Sequence, residues 1–272
     1  MNKESSIVIK ICDWITKYSI YALVFLMPLF LLPWTADVLD FNKQTLLFVL
    51  VFVALFSWMT RVLVSGKLSV NVNPMQIVIG VLFLLYLLST LFSQNKYGSF
   101  WGWPQLSSES LLSLIGFVLL YLLVSNFFSK KDILFSTILL SFSALLAELI
   151  GIFQLFGWFI IPFDFAKTTV FNTIGSTGSL AFLAAIMLPL TILLLIVSKK
   201  WWKLLSILEI IVSALVLFLV NYPIVWWAVI VGSALIMVFV IMKRDIFDGR
   251  WMALPMFFLA VSLFFCAFKP PN

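Results

Sequence analysis

Apolar runs of about 20 residues recur along almost the whole of this 272-residue chain. A helix of about 20 apolar residues crosses the roughly 30 Å hydrocarbon core of a bilayer. Such runs have to be helical, because a chain in lipid must satisfy its backbone hydrogen bonds internally. Only 10% of the residues are charged and 64% are hydrophobic, against roughly 25% charged in soluble domains. The sequence predicts an all-α, polytopic helical membrane protein in which residues 1–272 form a single transmembrane domain.

The apolar runs divide into about nine predicted transmembrane helices. Their approximate bounds are 18–34, 45–64, 75–92, 110–128, 133–159, 180–197, 204–220, 224–242 and 251–268. The first run lacks the small-residue cleavage site of a signal peptide, so we expect it to stay in the protein. The turn Asn221-Tyr222-Pro223 is short enough to make the seventh and eighth helices a hairpin.

The basic residues predict the orientation of these helices. With the N-terminus in the cytoplasm and the C-terminus outside, 13 of the 17 Lys and Arg residues lie on the cytoplasmic side, as the positive-inside rule requires. The four on the outer side are Lys43, Lys96, Lys167 and Lys269. We therefore expect a multi-pass protein of the cytoplasmic (inner) membrane, with the lipid bilayer as its main partner.

Two absences limit the chemistry that the chain can perform. It has no histidine, which excludes imidazole catalysis and histidine metal sites. Its two cysteines are predicted near opposite faces, Cys12 inside and Cys266 outside, too far apart for a disulfide. We expect no metal and no cofactor. The net charge of +6 fits basic clusters at an anionic inner leaflet, so we expect no nucleic acid partner.

Ionisable residues inside a membrane are costly and often functional. Glu148 lies in the middle of the fifth predicted helix. It could be a proton-linked or substrate-contacting carboxylate, or a protonated side chain that is hydrogen-bonded to a neighbouring helix. Glu209, in the seventh predicted helix, is interpreted as a structural partner of nearby Lys203.

Two loops on the predicted outer side combine aromatic residues, glycine and small polar residues. The first, SQNKYGSFWGWPQLSSESLL, carries Trp101 and Trp103 and ends in a helix start that Ser107 or Ser108 can cap. The second, IIPFDFAKTTVFNTIGSTGSL, leads directly into the sixth predicted helix. Free N–H groups and the helix dipole at that start would favour an anion such as a lipid phosphate. The alternative is an ordinary loop followed by a capped helix.

These two segments together resemble the O-antigen ligase superfamily of bacterial membrane glycosyltransferases. FNTIGSTGSLAFLAAIMLPL is similar to a family loop of the form Thr/Ser-x-Gly-Asn-Pro-Asn-x-Leu-Ala that opens a helix ending in Leu-Pro, and KYGSFWGWPQL is similar to the family's upstream Ser-Phe-Trp-Gly segment. The resemblance covers roughly residues 94–198.

The resemblance implies transfer or binding of a polyprenyl-diphosphate-linked glycan at the outer face of the membrane, without a soluble cofactor. It implies donor-binding candidates in the second loop and an aromatic outer segment in the first. The candidates are Lys167, Asn172, Gly175, Ser176, Thr177, Gly178 and Ser179, with Trp101 and Trp103 in the aromatic segment.

The chain departs from the family pattern in two motifs and in its length. Ser176, Thr177 and Gly178 replace the Asn-Pro-Asn, and Asn221-Tyr222-Pro223 stands where the family has Ser-Arg-Gly. Family members also have about a dozen helices and a large external loop with a catalytic histidine. We therefore expect the N-terminal part of a ligase-like protein, or a degenerate member completed by a second chain. The other hypothesis is a non-catalytic scaffold or transporter fragment with Glu148 at a helix interface or pore.

Overall fold

The computed structural model describes residues 3–35, 37–66, 73–102, 107–199, 201–243 and 249–267, with side chains from residue 6 onward. Over these ranges the chain is helical and contains no strand. The α-helices are α1 Lys3–Leu26, α2 Asp40–Ser65, α3 Pro74–Leu91, α4 Lys96–Trp101, α5 Leu111–Phe127, α6 Lys130–Leu155, α7 Thr177–Val197, α8 Trp201–Val220, α9 Pro223–Met242 and α10 Ala253–Ala267. Short 3₁₀ turns occupy Ser107–Glu109, Asp164–Ala166 and Gly249–Met252.

Seven of the described helices are long and apolar enough to cross a membrane. They are α2, α3, α6, α7, α8, α9 and the segment Gly249–Ala267 that contains α10. The shorter apolar helix α5 is separate from these seven. The chain is thus a helical protein, and its described ranges hold seven candidate membrane-spanning helices. The predicted total of about nine, and the orientation of the termini, stay predictions.

The first predicted helix, residues 18–34, is wrong in its bounds. Helix α1 begins at Lys3 and ends at Leu26, and the chain then turns through residues 27–35. Two charged side chains of this helix are paired: Lys17 Nζ is 2.8 Å from Asp132 Oδ2, and Asp13 Oδ1 is 2.8 Å from Arg61 Nε. Helix α1 is not one of the seven candidates.

The chain divides into two compact units, Met1–Ser136 and Thr137–Asn272. In the first unit, α2 packs against α1 and α5. The core of this unit is made of the buried residues Ile20, Leu23, Leu47, Val51, Ala54 and Leu123. The single transmembrane domain stays a prediction.

In the second unit, α7 is the most buried of the candidate spanning helices and packs against α8, α9 and α10. Its buried face includes Leu180, Ala184, Leu188 and Ile192. The two-residue connection at Asn221 and Tyr222 joins α8 to α9, and both helices have α7 as a neighbour. Asn221 has a positive φ of 43°, and its Oδ1 accepts a hydrogen bond from Trp226 Nε1 at 2.9 Å.

A glycine allows α9 to approach α7 closely. A Cβ built on Gly232 would lie 2.8 Å from Cγ of Pro189 in α7. A proline ring cannot swing aside as a flexible side chain can, so helix α9 would have to move to accommodate the methyl group. Small residues at helix interfaces allow this close packing in membranes, where the hydrophobic effect does not drive helices together.

We predict that Gly232→Ala destabilises the protein by about 1–3 kcal/mol, the usual cost of overpacking. The measurement is thermal unfolding in detergent. The matched control is Gly80→Ala in α3, where an added Cβ meets no atom within 4 Å. Because alanine has a higher helix propensity than glycine, this variant should be as stable as wild type or more stable by up to about 1 kcal/mol. Equal unfolding temperatures for the two variants would contradict the close contact.

Candidate functional site

An aromatic cavity lies at one end of the first unit. It has a volume of about 400 Å³ and is lined by Thr35, Asp37, Phe41, Gln44, Tyr97, Trp101 and Ser107. These residues come from the α1–α2 loop, the start of α2 and the connection between α3 and α5. Both connections belong to the predicted outer side, so their meeting at one end agrees with the predicted alternation of the loops.

The α1–α2 loop is held by its own polar side chains. Asp37 accepts hydrogen bonds from the backbone N–H groups of Leu39, Asp40 and Phe41 at 3.0–3.1 Å, and so caps the start of α2. The buried Asn42 Nδ2 donates to Thr35 Oγ1 at 2.8 Å. Carboxylate oxygens can accept further bonds beyond these, which leaves Asp37 able to contact a ligand in the cavity.

Gln44 connects α2 to the start of α5. Its Nε2 lies 3.1 Å from the Ser107 carbonyl oxygen, 3.0 Å from Ser110 Oγ and 2.9 Å from Ser113 Oγ. Ser110 is the residue that caps α5, by accepting from the N–H of Ser113. The prediction that Ser107 or Ser108 caps this helix is therefore wrong, because the 3₁₀ turn Ser107–Glu109 places the helix start three residues later.

The aromatic wall comes from the short helix α4. Asn95 caps α4 by accepting from the N–H of Gly98, and Gly102 ends it in the left-handed conformation. Tyr97 and Trp101 are four residues apart and so share one face of the helix, with ring centroids 6.3 Å apart. Trp101 is 47% exposed. Trp103, the other predicted aromatic residue, lies outside the described residues.

The predicted donor-binding loop lies in the second unit, and its polar atoms are used locally. Asn172 Oδ1 accepts from the N–H groups of Ile174 and Gly175 at 2.9 and 3.0 Å. Gly175 has a φ of 143°, which favours glycine. Ser176 caps α7 by accepting from the N–H of Ser179 at 3.1 Å. Local hydrogen bonds thus explain much of the small-residue motif.

The other predicted donor-binding residues, Thr177, Gly178 and Lys167, do not take part in these hydrogen bonds of the loop. Thr177 and Gly178 are the first two residues of α7. A Cβ on Gly178 would make only ordinary contacts of 3.6 Å or more, so packing does not demand glycine there. Lys167 forms an ion pair of 2.7 Å with the exposed Asp164, and so its charge is already partly balanced.

Glu148 is fully buried in α6 and is hydrogen-bonded to another helix of its unit. Ser213 Oγ in α8 lies 3.0 Å from each carboxylate oxygen of Glu148, and both residues have no exposed surface. This contact is the neighbouring-helix hydrogen bond that was one of the two interpretations of Glu148.

Glu209 lies one turn before Ser213 on α8 and is also fully buried. Its two carboxylate oxygens have no hydrogen-bond partner within the described part of the chain, and it interacts electrostatically with Glu148. The predicted pairing with Lys203 is wrong: Lys203 Nζ instead lies 5.8 Å from the centroid of the Trp251 ring. Their separation of six positions turns the helix by about 600°, which places the two side chains on different faces.

Comparison with known proteins gives no relative for this chain. No protein-family model, curated protein or solved structure matches it. The resemblance to the O-antigen ligase superfamily therefore rests on the two sequence motifs of the predicted outer loops.

Removing the partner of Glu148 should cost stability. We predict that Ser213→Ala lowers the free energy of unfolding by about 1–3 kcal/mol, because a buried acceptor loses its hydrogen bond. The control is Ser206→Ala in the same helix, since Ser206 is equally buried but donates only to the Trp202 carbonyl of its own helix, at 3.0 Å. Thermal unfolding in detergent compares the two, and a loss for Ser206→Ala as large as that for Ser213→Ala would refute the prediction.

Proposed function

We propose that this chain is an O-antigen ligase-like protein of the cytoplasmic membrane that binds a polyprenyl-diphosphate-linked glycan at the outer face. The observation that carries the proposal is the aromatic cavity, which contains Trp101 of the family-like segment. Its volume of about 400 Å³ is within the range of about 300–1,000 Å³ that is usual for ligand pockets.

The cavity wall has the chemistry that a sugar needs. The faces of Trp101 and Tyr97 offer flat apolar surfaces to the C–H groups of a pyranose ring. Asp37 and Gln44 can accept hydrogen bonds from sugar hydroxyl groups. Small-molecule sites usually have a few polar groups among apolar and aromatic side chains. In this cavity the polar groups would orient one sugar unit.

The lipid-linked diphosphate needs positive charge close to the sugar. Lys96 directly precedes Tyr97 in α4 and is exposed, and it is our candidate for this charge, because a lysine binds phosphate as a point charge. For transfer, an acceptor hydroxyl needs a base within hydrogen-bond reach. Asp37 is the carboxylate of the cavity wall and is our candidate for that role.

Binding of a lipid-linked sugar tests the proposal. The protein in detergent is titrated with a short-chain polyprenyl-diphosphate-linked monosaccharide, and tryptophan fluorescence reports binding. Trp101→Phe and Asp37→Asn are each expected to weaken binding about 10-fold, which corresponds to ~1.4 kcal/mol. Because Trp101 itself contributes to the signal, isothermal titration calorimetry measures the same series.

The matched control for this series is Trp34→Phe. Trp34 is 78% exposed and belongs to the same loop as Asp37, but it is not part of the cavity wall. The control variant should bind as wild type does. No binding by the wild-type protein, or equal losses in Trp34→Phe and Trp101→Phe, would overturn the proposal.

A second candidate function rests on a different observation, the unpartnered carboxylate of Glu209 beside Glu148. Two buried carboxylates without a basic partner are typical of sites that bind a proton or cation during transport. In this hypothesis Glu148 and Glu209 form the binding site of a transporter component, and Ser213 positions Glu148.

Flux through proteoliposomes distinguishes this second candidate. Under an imposed membrane potential, the wild-type protein is expected to pass protons or Na⁺ faster than empty vesicles, and Glu148→Gln should abolish the difference. Glu109→Gln, a change at an exposed carboxylate in the first unit, should leave the flux unchanged. Absence of flux for the wild-type protein, or equal flux in Glu148→Gln, would reject the transporter hypothesis.

A further inference from the structure

A basic pocket lies in the first unit, where α2 and α5 end and α6 begins. It has a volume of about 360 Å³ and is lined by Lys10, Asp13, Trp14, Lys17, Arg61, Asn126 and Phe127. The sequence places this end of the unit on the side of the membrane that carries most of the basic residues. Lys130 and Lys131 lie at the start of α6, close in sequence to Asn126 and Phe127.

The charges of the basic pocket leave a surplus of one cation. Arg61 Nε is 2.8 Å from Asp13 Oδ1, and these two atoms are not aligned for a hydrogen bond. Lys17 Nζ is 2.8 Å from Asp132, whose other oxygen accepts from Tyr21 at 2.8 Å. Lys10 has no ion pair within the described part of the chain. One additional negative charge would balance the pocket.

Arg61 is well placed for an anion. Its guanidinium carbon lies 4.8 Å from the centroid of the Phe127 ring, so the group packs over an aromatic ring. A guanidinium has five N–H donors, and the Asp13 contact engages only the Nε side. The remaining donors can bind phosphate oxygens in pairs.

An apolar groove adjoins the basic pocket along α1. It has a volume of about 540 Å³ and is lined by Lys10, Ile11, Trp14, Ile15 and Tyr18, so that it shares Lys10 and Trp14 with the basic pocket. Ile11, Trp14 and Tyr18 are 53%, 66% and 60% exposed. From Lys10 to Tyr18 the groove follows about 12 Å of helix. The basic pocket is therefore continuous with the apolar groove.

We propose that this pocket and groove form a binding site for an anionic phospholipid of the adjacent leaflet. The phosphate diester, with one negative charge, lies in the basic pocket against Lys10 and Arg61. One acyl chain lies along Ile11, Trp14 and Ile15. Basic residues at a membrane surface attract anionic lipids. Trp14 lines both the basic pocket and the apolar groove, and tryptophan is enriched at the head-group level of a bilayer.

The joint geometry selects a lipid over a soluble phosphate. A free phosphate would use only the basic pocket and would gain nothing from the exposed side chains Ile11, Ile15 and Tyr18. A lipid buries those side chains and satisfies the surplus charge at once. The site is independent of the aromatic cavity, so the glycan-binding proposal and this one can fail separately.

Lipid retention measured by native mass spectrometry tests the proposal. The full chain in detergent is titrated with dioleoyl phosphatidylglycerol or dioleoyl phosphatidylcholine. We expect one phosphatidylglycerol to bind at least fivefold more tightly than phosphatidylcholine. Lys10→Gln should reduce that preference about fivefold, and it breaks no ion pair among the described residues. The matched control Lys130→Gln removes an exposed lysine that does not line the pocket and should keep the preference.

The groove has its own pair of variants. Ile11→Gln is expected to weaken phosphatidylglycerol binding at least fivefold, whereas Ile7→Gln, at an exposed residue outside the groove, should not change it. Inorganic phosphate and glycerol 3-phosphate serve as competitors. Equal binding of the two lipids, equal effects of the two lysine variants, or full displacement of the lipid by millimolar phosphate would overturn the proposal.

Discussion

The scarcity of water in the hydrocarbon core is the constraint on which the rest of this structure depends. A backbone N–H or carbonyl without a partner there costs several kcal/mol, so the chain forms helices wherever it is apolar. The same constraint acts on the loops, where side chains close the exposed helix starts. Asp37 accepts from the first two N–H groups of α2, Ser110 caps α5 and Ser176 caps α7. The polar motifs that attract attention in the sequence are partly these caps.

Hydropathy predicts most of the helices because length and apolar composition are local properties. The predicted runs 75–92 and 180–197 correspond to α3 Pro74–Leu91 and α7 Thr177–Val197. The first run failed because its boundaries depend on distant partners. Lys17 is tolerated inside α1 because Asp132 neutralises it, and Asp132 lies 115 residues away in the sequence. No window of 20 residues contains that information.

The candidate sites were less predictable than the helices, because they depend on which faces of separate helices meet. Trp101 was recognised from its motif, but Asp37 and Gln44 were missed. They reach the cavity only because the α1–α2 loop lies beside α4, and Asp37-Val38-Leu39-Asp40 carries a weak signal as a helix cap. In the second unit, the sequence contained Glu148, Glu209 and Ser213, yet the rotation of α8 decides that Ser213 meets Glu148 and that Lys203 does not pair with Glu209.

The pairing of Lys17 with Asp132 also has a consequence for the synthesis of the chain. The two residues are separated by 115 positions, so at roughly 5–20 residues per second the lysine precedes its partner by about 6–23 s. During that interval its ammonium group has to remain among head groups or water. The ion pair that joins α1 to the start of α6 can therefore form only after Asp132 has been synthesised, which makes it a late contact in the assembly of the first unit.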